Sequence, residues 1–260
     1  MPHEQPGWVP VSYDKVGIAV DAQSRVFADG SHVIVVRFLA GHTRFVLHVG
    51  SQDPPIATAR VSPGTGPAVS SAELPSLLAA FNGGFKIASG SGGFEIDGQI
   101  LAPLQPGIAS FVIDTNGSGH TGVWGQNLPM PGEHVASVRQ NLLPLVTGSQ
   151  LSSRISQIAS WGARYKGEDM VARSALGEDT KGNILYAGSM AALPSDLGNA
   201  LVDGGVTNAM ELDINPEWVQ LELATHPGGP LNAGVPEQNR PPNQYLVGWT
   251  RDFVTVLASR

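Results

Sequence analysis

The sequence predicts one α+β domain, mostly antiparallel or mixed sheet, with hairpins and a few short helices. Three segments place a turn dipeptide between runs of β-forming residues. The alternation of strands and helices expected for a parallel α/β sheet is missing. Charged residues make up 14% of the 260 residues, while 32 glycines and 20 prolines follow no fixed period. This composition favours many turns and long ordered loops rather than disorder.

Four hairpins follow from turn chemistry. The turn dipeptides of three of them are Asp97-Gly98, which is a type I′ signal, Asn116-Gly117 and Lys181-Gly182. The fourth hairpin joins the strands Val33–Leu39 and Arg44–Val49 through Ala40, Gly41, His42 and Thr43.

The clearest helix covers Pro194–Asp203, because its apolar residues recur at helical spacing. Gly204 is predicted to form a left-handed cap after it. Pro75–Ala80 is predicted as a second short helix. The remaining predicted strands are Ala209–Asp213, Trp218–Leu223, Leu246–Trp249 and Phe253–Leu257. Residues 224–244 are predicted to form a long loop, which is usually functional inside a compact domain.

The expected organisation is an N-terminal extension with the first strand at 1–30 and one main domain at 31–260. The net charge of −7 and the absence of a basic run argue against nucleic-acid binding. The chain has no cysteine, which excludes disulfides and thiolate metal sites. Residues 1–15 lack the apolar core of a signal peptide, and no apolar run reaches the roughly 18 residues of a membrane span.

The segment Asn82-Gly83-Gly84-Phe85-Lys86 is the first candidate site. Adjacent glycines permit positive φ and a close approach to the backbone. Asn82 offers donors and an acceptor that suit sugar hydroxyls, and Lys86 can bind an anion. The alternative, favoured for this segment taken alone, is a tight turn with a solvated lysine.

Two further candidates carry charge. Arg173 lies in an apolar context, so it is expected either in a structural salt bridge or as a clamp on a substrate phosphate. Glu211 and Asp213 are two residues apart on a strand, which places them on one face with Cα atoms roughly 6.6–6.8 Å apart. Like charges on one face raise one pKa and can supply an acid and a base, although an exposed strand end is the simpler interpretation.

Asn215 and Trp218 follow directly. Trp218 can stack on a sugar ring, but a core aromatic is the more frequent case. The histidines are scattered and none has a zinc-ligand spacing, so no metal site and no cofactor are predicted.

Four segments, in order, resemble the phosphodiester glycosidase family, whose uncovering enzyme removes N-acetylglucosamine from a phosphodiester on mannose. They are AAFNGGFK (79–86), VRQNLLPLVTGS (138–149), RSALGEDTKGNILYAG (173–188) and NAMELDINPEWV (208–219). The stretch RDFVTV near the C-terminus is similar to the family's last strand. The chain departs from the better-known LDGGGS pattern at Ile214-Asn215 and has Lys86 where an aromatic residue is common.

The resemblance implies hydrolysis of a sugar–phosphodiester bond in a cell-envelope or extracellular glycan. It assigns Arg173 and Lys86 to the phosphate, Asp213 to water activation or the oxocarbenium-like centre, and Glu211 to a second carboxylate role. Asn82 and Asn215 would orient sugar hydroxyls, with Gly83, Phe85 and Trp218 completing the substrate site. The implied partner is a carbohydrate or sugar phosphate, and the implied location is extracytoplasmic, through a leader or anchor outside these residues. The alternative is a non-catalytic carbohydrate-binding module of the cell envelope on the same fold.

Overall fold

The computed structural model describes residues 7–54, 64–162 and 167–259. Strands dominate this part of the chain, and its two α-helices are short. The strands are β1 (Val9–Tyr13), β2 (Ile18–Val26), β3 (His32–Phe38), β4 (Thr43–His48), β5 (Leu77–Asn82), β6 (Phe94–Ile96), β7 (Gln99–Ala102), β8 (Ala109–Asp114), β9 (Gly119–Val123), β10 (Val135–Gln140), β11 (Val146–Thr147), β12 (Gln150–Leu151), β13 (Val171–Asp179), β14 (Ile184–Ala192), β15 (Val206–Ile214), β16 (Leu221–Leu223), β17 (Asn232–Ala233) and β18 (Phe253–Ala258). The helices are α1 (Pro194–Asp203) and α2 (Gln244–Val247).

The strands form three sheets. Sheet I has eight strands in the order β1-β2-β3-β14-β13-β15-β11-β12. Sheet II has the order β7-β6-β10-β8-β9, and sheet III has the order β17-β16-β5-β18-β4. The strand pairs within these sheets are antiparallel, so the expectation of a mainly antiparallel protein is confirmed. The α+β description fits only loosely, because the protein is strongly β-rich.

One apolar core joins all three sheets. Phe38, Tyr186 and Met210 of sheet I share it with Phe111 of sheet II and Phe81 of sheet III. A second cluster packs the opposite face of sheet I against α1. Sheet I therefore lies between α1 and the other two sheets. It includes both strands that fall within the predicted N-terminal segment 1–30.

The three hairpins predicted from turn dipeptides are confirmed. They correspond to the pairs β6–β7, β8–β9 and β13–β14. Asp97 and Gly98 both have positive φ, 51° and 72°, as the predicted type I′ turn requires. Helix α1 has the predicted bounds.

The fourth hairpin prediction is wrong as a pairing. Both strands exist, but β3 pairs with β2 and β14 in sheet I, whereas β4 pairs with β18 in sheet III. The linker therefore carries the chain from one sheet to another. Local turn chemistry could not distinguish a crossover from a hairpin.

Three local predictions also fail. Of the predicted helix Pro75–Ala80, only the first two residues lie in a helical turn, the 3₁₀ helix Leu74–Ser76. The rest belongs to the central strand β5, whose side chains are all buried. Leu246 and Val247 lie in α2 rather than in a strand. Gly204 has φ −75°, and the positive φ after α1 belongs to Gly205, at 98°. In the described part of the chain, we find no helix of the length and apolarity that a membrane crossing requires.

Glu222 on β16 gives a stability prediction. Burial raises its pKa to about 8, opposed by the backbone amides of Tyr245 and Gln244. The folded state therefore holds a proton that the unfolded chain releases above pH 4.5, so stability should fall as pH rises from about 5 to 8. We expect a loss on the order of 2–4 kcal/mol over this range that Glu222→Gln removes. Urea unfolding of wild type and Glu222→Gln at pH 5 and pH 8 measures this loss. An equal change in the free energy of unfolding between the two pH values in both proteins would contradict the prediction.

Candidate active site

Four strand ends from all three sheets meet at one place. β5 ends at Asn82, β15 ends at Ile214, β10 ends at Gln140 and β18 begins at Phe253. The backbone N–H of Asp213 donates to the Gly83 carbonyl (2.9 Å), which joins the end of sheet I to the end of sheet III. Polar residues at these ends are thereby brought together from distant parts of the sequence.

The two glycines after Asn82 allow this approach. A Cβ on Gly83 would lie 1.8 Å from Asp252 Oδ2, and one on Gly84 would lie 2.9 Å from the Arg139 guanidinium carbon. The Gly84 N–H donates to the same Asp252 oxygen (3.2 Å). Neither glycine is among those with positive φ, so close approach rather than turn geometry requires them here.

Asp252 is held by Arg139. The Arg139 Nε donates to Asp252 Oδ2 (2.7 Å) and Nη2 to Oδ1 (3.3 Å), a two-point contact that fixes the carboxylate. Arg139 Nη2 also donates to the carbonyl of Phe85. Both side chains are almost completely buried. This buried ion pair lies beneath the place where the four strand ends meet.

Asp213 is held by a different arginine, Arg251. The Arg251 Nη2 lies 3.0 Å from Asp213 Oδ2 and donates to the Gly84 carbonyl (2.9 Å). Its Nε lies 3.5 Å from Asp53 Oδ2 but has no hydrogen-bond partner among the described residues. The side-chain exposures are 9% for Asp213 and 17% for Asp53, against 1% for Asp252. Asp213 is thus nearer to solvent than Asp252.

Burial raises the pKa of Asp213 to about 7. The Arg251 guanidinium and the Ile214 N–H oppose this shift, and the negative charge of Asp252 adds to it. A carboxyl group with a pKa near neutrality can both accept and donate a proton at physiological pH. Such a group at a strand end is a candidate acid–base catalyst.

Arg173 and Glu211 form a separate, closed ion pair. The Arg173 Nη1 donates to Glu211 Oε1 (2.7 Å) and to the Trp161 carbonyl (2.8 Å), while Nε donates to the Ala192 carbonyl (3.2 Å). Both side chains are 0% exposed. The contacts support the structural salt bridge rather than a clamp on substrate. Burial raises the pKa of Glu211, and the Arg173 guanidinium opposes this shift and favours the ionised carboxylate.

The amide of Asn82 is also fully occupied within the protein. Its Nδ2 donates to Ser174 Oγ (2.9 Å) and to the Gly83 carbonyl (3.0 Å), and its Oδ1 accepts from Tyr186 (3.0 Å) and from the Gln220 N–H (3.3 Å). It is 2% exposed. Asn82 therefore links neighbouring strands, and these contacts favour a structural role for its side chain.

The other predicted residues lie nearer the surface. Lys86 is exposed and Phe85 is half-buried. Trp218 is half-buried, packs edge-to-face on Trp249, and has the Arg251 guanidinium 5.3 Å from its ring centroid. Asn215 has φ 98°, a strained value for a residue other than glycine, two positions after Asp213.

A cavity of about 810 Å³ opens beside this point. Its lining is rich in hydroxyl and amide groups, namely Ser89, Ser91, Ser156, Gln157 and Ser160, and includes Phe85 and Gly162. A Cβ on Gly162 would lie 2.5 Å from the Ile214 side chain and 2.9 Å from Phe85, so this wall of the cavity touches the residue after Asp213.

Sequence reasoning missed five polar residues here: Asp53, Arg139, Asn141, Arg251 and Asp252. Asn141 joins the Phe85 N–H (3.1 Å) to the Glu211 carbonyl (2.7 Å). Four of the five lie in segments that carried the family resemblance, VRQNLL and RDFVTV. The signal available in the sequence was that these two segments carry opposite charges that could form ion pairs. Asp53 lies in a Pro-rich loop with no such signal.

No family model matches the chain, and no curated protein sequence matches it significantly. Among solved structures, the catalytic domain of zebrafish N-acetylglucosamine-1-phosphodiester alpha-N-acetylglucosaminidase, auto-inhibited by its pro-peptide, matches with a TM-score of 0.58 and 16% identity. The match covers 99% of this chain and 89% of that one. The chain has a phosphodiester glycosidase-like fold.

A second solved structure supports the same architecture. It is a hypothetical protein from Synechocystis, with a TM-score of 0.50 and 14% identity over 92% of this chain and 62% of that one. The phosphodiester glycosidase-like fold agrees with the resemblance carried by the sequence motifs. At these identities the likeness establishes the fold, and the role of each residue is argued from its contacts.

Proposed function

We propose that the protein hydrolyses a glycosyl phosphodiester, with Asp213 as the acid–base residue. The observation that carries this proposal is the position of Asp213. It is a carboxyl group with a pKa near neutrality that pairs with Arg251 in a phosphodiester glycosidase-like fold. The residue after it, Ile214, packs against Gly162 in the wall of a hydroxyl-lined cavity. An extracellular or cell-envelope glycan is the proposed source of the substrate.

The chemistry requires little protonation of the leaving group, because a phosphomonoester leaves as a stable anion. Water forms a bond to the anomeric carbon, the bond from that carbon to the phosphate oxygen breaks, and the phosphate keeps the electron pair. Asp213, when ionised, takes the proton from water. Charge that develops on the phosphate needs cations nearby.

Arg251 and Lys86 supply those cations in the proposal. Arg251 contacts Asp213 and has a buried N–H without a hydrogen-bond partner among the described residues. Lys86 is exposed, and the N–H of the next residue, Ile87, donates to Asp53, which also faces Arg251 (3.2 Å and 3.5 Å). Arg251 thus takes the phosphate role that the sequence suggested for Arg173, while Lys86 keeps its own.

The sugar is proposed to occupy the cavity next to Phe85. Ser91 is 3% exposed, and its hydroxyl has no hydrogen-bond partner among the described residues, although it lines this cavity. An unpaired buried hydroxyl costs free energy until a ligand supplies a partner. Phe85 adds an apolar face for the sugar ring.

The test is direct. Wild-type protein is incubated with a panel of sugar-1-phosphodiesters, including nucleotide sugars and alkyl esters, and free reducing sugar is measured by chromatography. Sugar release that requires Asp213 supports the proposal. Binding of these compounds without any turnover would contradict it and would favour a carbohydrate-binding module.

A cavity variant gives a further prediction. We expect Ser91→Ala to raise KM by about five- to tenfold with a smaller change in kcat, since a hydrogen bond to bound sugar contributes about 1–1.5 kcal/mol. Ser118→Ala, on the β8–β9 turn, is the matched control. An unchanged KM for Ser91→Ala would place the sugar elsewhere.

A further inference from the structure

A second group of side chains that could bind a ligand lies on sheet II, apart from the ion pairs of Asp213 and Asp252. Asp114 ends β8, His120 lies on β9, and Glu133 precedes β10 by two residues. One ligand atom from each lies within 4.8 Å of the other two. All three side chains are half-buried.

The strand register explains why they meet. β8 is the central strand between β10 and β9. Val112 pairs with His120, so Asp114, two residues further along, lies on the same face of the sheet as His120. Val135 pairs with Asp114 from the other side, which brings Glu133 to the same end. Three separate segments therefore converge by regular pairing.

A carboxylate on a neighbouring sheet orients the imidazole of His120. Its Nδ1 lies 3.0 Å from Glu178 Oε1 on β13, in another sheet. This contact leaves Nε2 as the ring nitrogen for a ligand. A carboxylate bound to the far nitrogen of a metal-ligating histidine is a common arrangement, because it fixes the ring and raises its basicity.

The carboxylates are oriented as well. Glu133 Oε2 accepts the Met130 N–H (2.5 Å), whereas Glu133 Oε1 is buried and has no hydrogen-bond partner among the described residues. Asp114 Oδ1 is likewise buried without a partner in the described part of the chain. Each carboxylate therefore has one oxygen without a hydrogen-bond donor among the described residues.

We propose that Asp114, His120 and Glu133 bind a divalent transition metal ion such as Zn²⁺ or Mn²⁺. One imidazole and two carboxylates suit such ions, with water completing the coordination. Ligand atoms about 2.1 Å from a tetrahedral ion are about 3.4 Å apart, which small rotations of half-buried side chains can reach from separations of up to 4.8 Å. Glu178 is the positioning residue.

The experiment uses untagged, chelator-treated protein titrated with ZnCl₂ and with MnCl₂ by isothermal titration calorimetry. We expect one equivalent bound with a rise in Tm. His120→Ala should weaken binding at least a hundredfold, and Glu178→Gln should weaken it about 10–100-fold. His226→Ala, at an exposed histidine, should bind like wild type.

Circular dichroism and the metal-free Tm establish that each variant is folded. Glu133→Gln, which keeps its size and its Oε1, provides a second test and should weaken binding by at least tenfold. Stoichiometric binding that survives both His120→Ala and Glu133→Gln, or no binding by wild type, would overturn the proposal. These readouts do not depend on glycosidase activity, so failure here leaves the proposed reaction untouched.

Discussion

Asp213→Asn should reduce turnover of a glycosyl phosphodiester by about 10²–10⁴-fold, because proton transfer by a positioned carboxyl group contributes that much. Asparagine keeps the size of the side chain but only one acceptor oxygen, whereas Asp213 uses Oδ2 toward Arg251 and Oδ1 toward the Ile214 N–H. The substitution therefore removes the titrating group together with one of these two contacts. Initial rates with the best substrate of the panel measure the effect.

The pH profile of the wild-type enzyme is part of the same prediction. With a pKa of about 7, Asp213 is mostly protonated at pH 6 and mostly ionised at pH 8. A base must be ionised, so kcat/KM should rise across this range and level off above pH 8. The residual activity of Asp213→Asn should lack this rise.

Asp29→Asn is the matched control, since Asp29 is an exposed carboxylate that accepts the Ser31 N–H in a turn (2.9 Å). Its activity should equal that of wild type. Equal activity of folded Asp213→Asn would remove Asp213 from the mechanism. A rate loss accompanied by a large fall in Tm would instead assign a structural role to Asp213.

The sequence predicted local structure well where one turn or one face decided it. The β6–β7 hairpin depends on Asp97-Gly98, and α1 depends on a stripe of apolar residues, so neighbours in the chain carry the information. The helix predicted at β5 was wrong, because a run buried on all sides has no periodicity that separates helix from strand. The separation of β3 from β4 depends on packing between sheets, which a local pattern does not contain.

The same distinction applies to the candidate site. Both Glu211 and Asp213 were predicted from their two-residue spacing on one strand, and the family resemblance implied a catalytic role for Asp213. The spacing did not reveal that the two carboxylates join different ion pairs, with Arg251 and Arg173. A one-residue irregularity in the β13–β15 pairing, between Arg173 and Ala175, lies at this point. Partners from residues 53, 139 and 251 become visible only when three sheets are assembled.

Arg173→Met should destabilise the protein by about 3–5 kcal/mol, because it leaves Glu211 buried without its cation. Glu211→Leu alone should cost a similar amount, since it leaves the guanidinium unpaired. Equilibrium unfolding in urea measures each variant. The half-exposed pair Arg25–Asp203 is the control, and Arg25→Met should change stability by less than about 1 kcal/mol.

The double variant Arg173→Met/Glu211→Leu separates the two interpretations of this arginine. If the pair is structural, the double variant should lose about 1–3 kcal/mol less stability than the sum of the losses in the two single variants. Full recovery is not expected, because Arg173 also donates to the carbonyls of Trp161 and Ala192, which then lose a partner. If Arg173 bound substrate phosphate, Arg173→Met would lose activity while stability stayed within about 1 kcal/mol of wild type. A buried cation that pairs with Glu211 and donates to two backbone carbonyls predicts the first result, because these contacts are made before any substrate arrives.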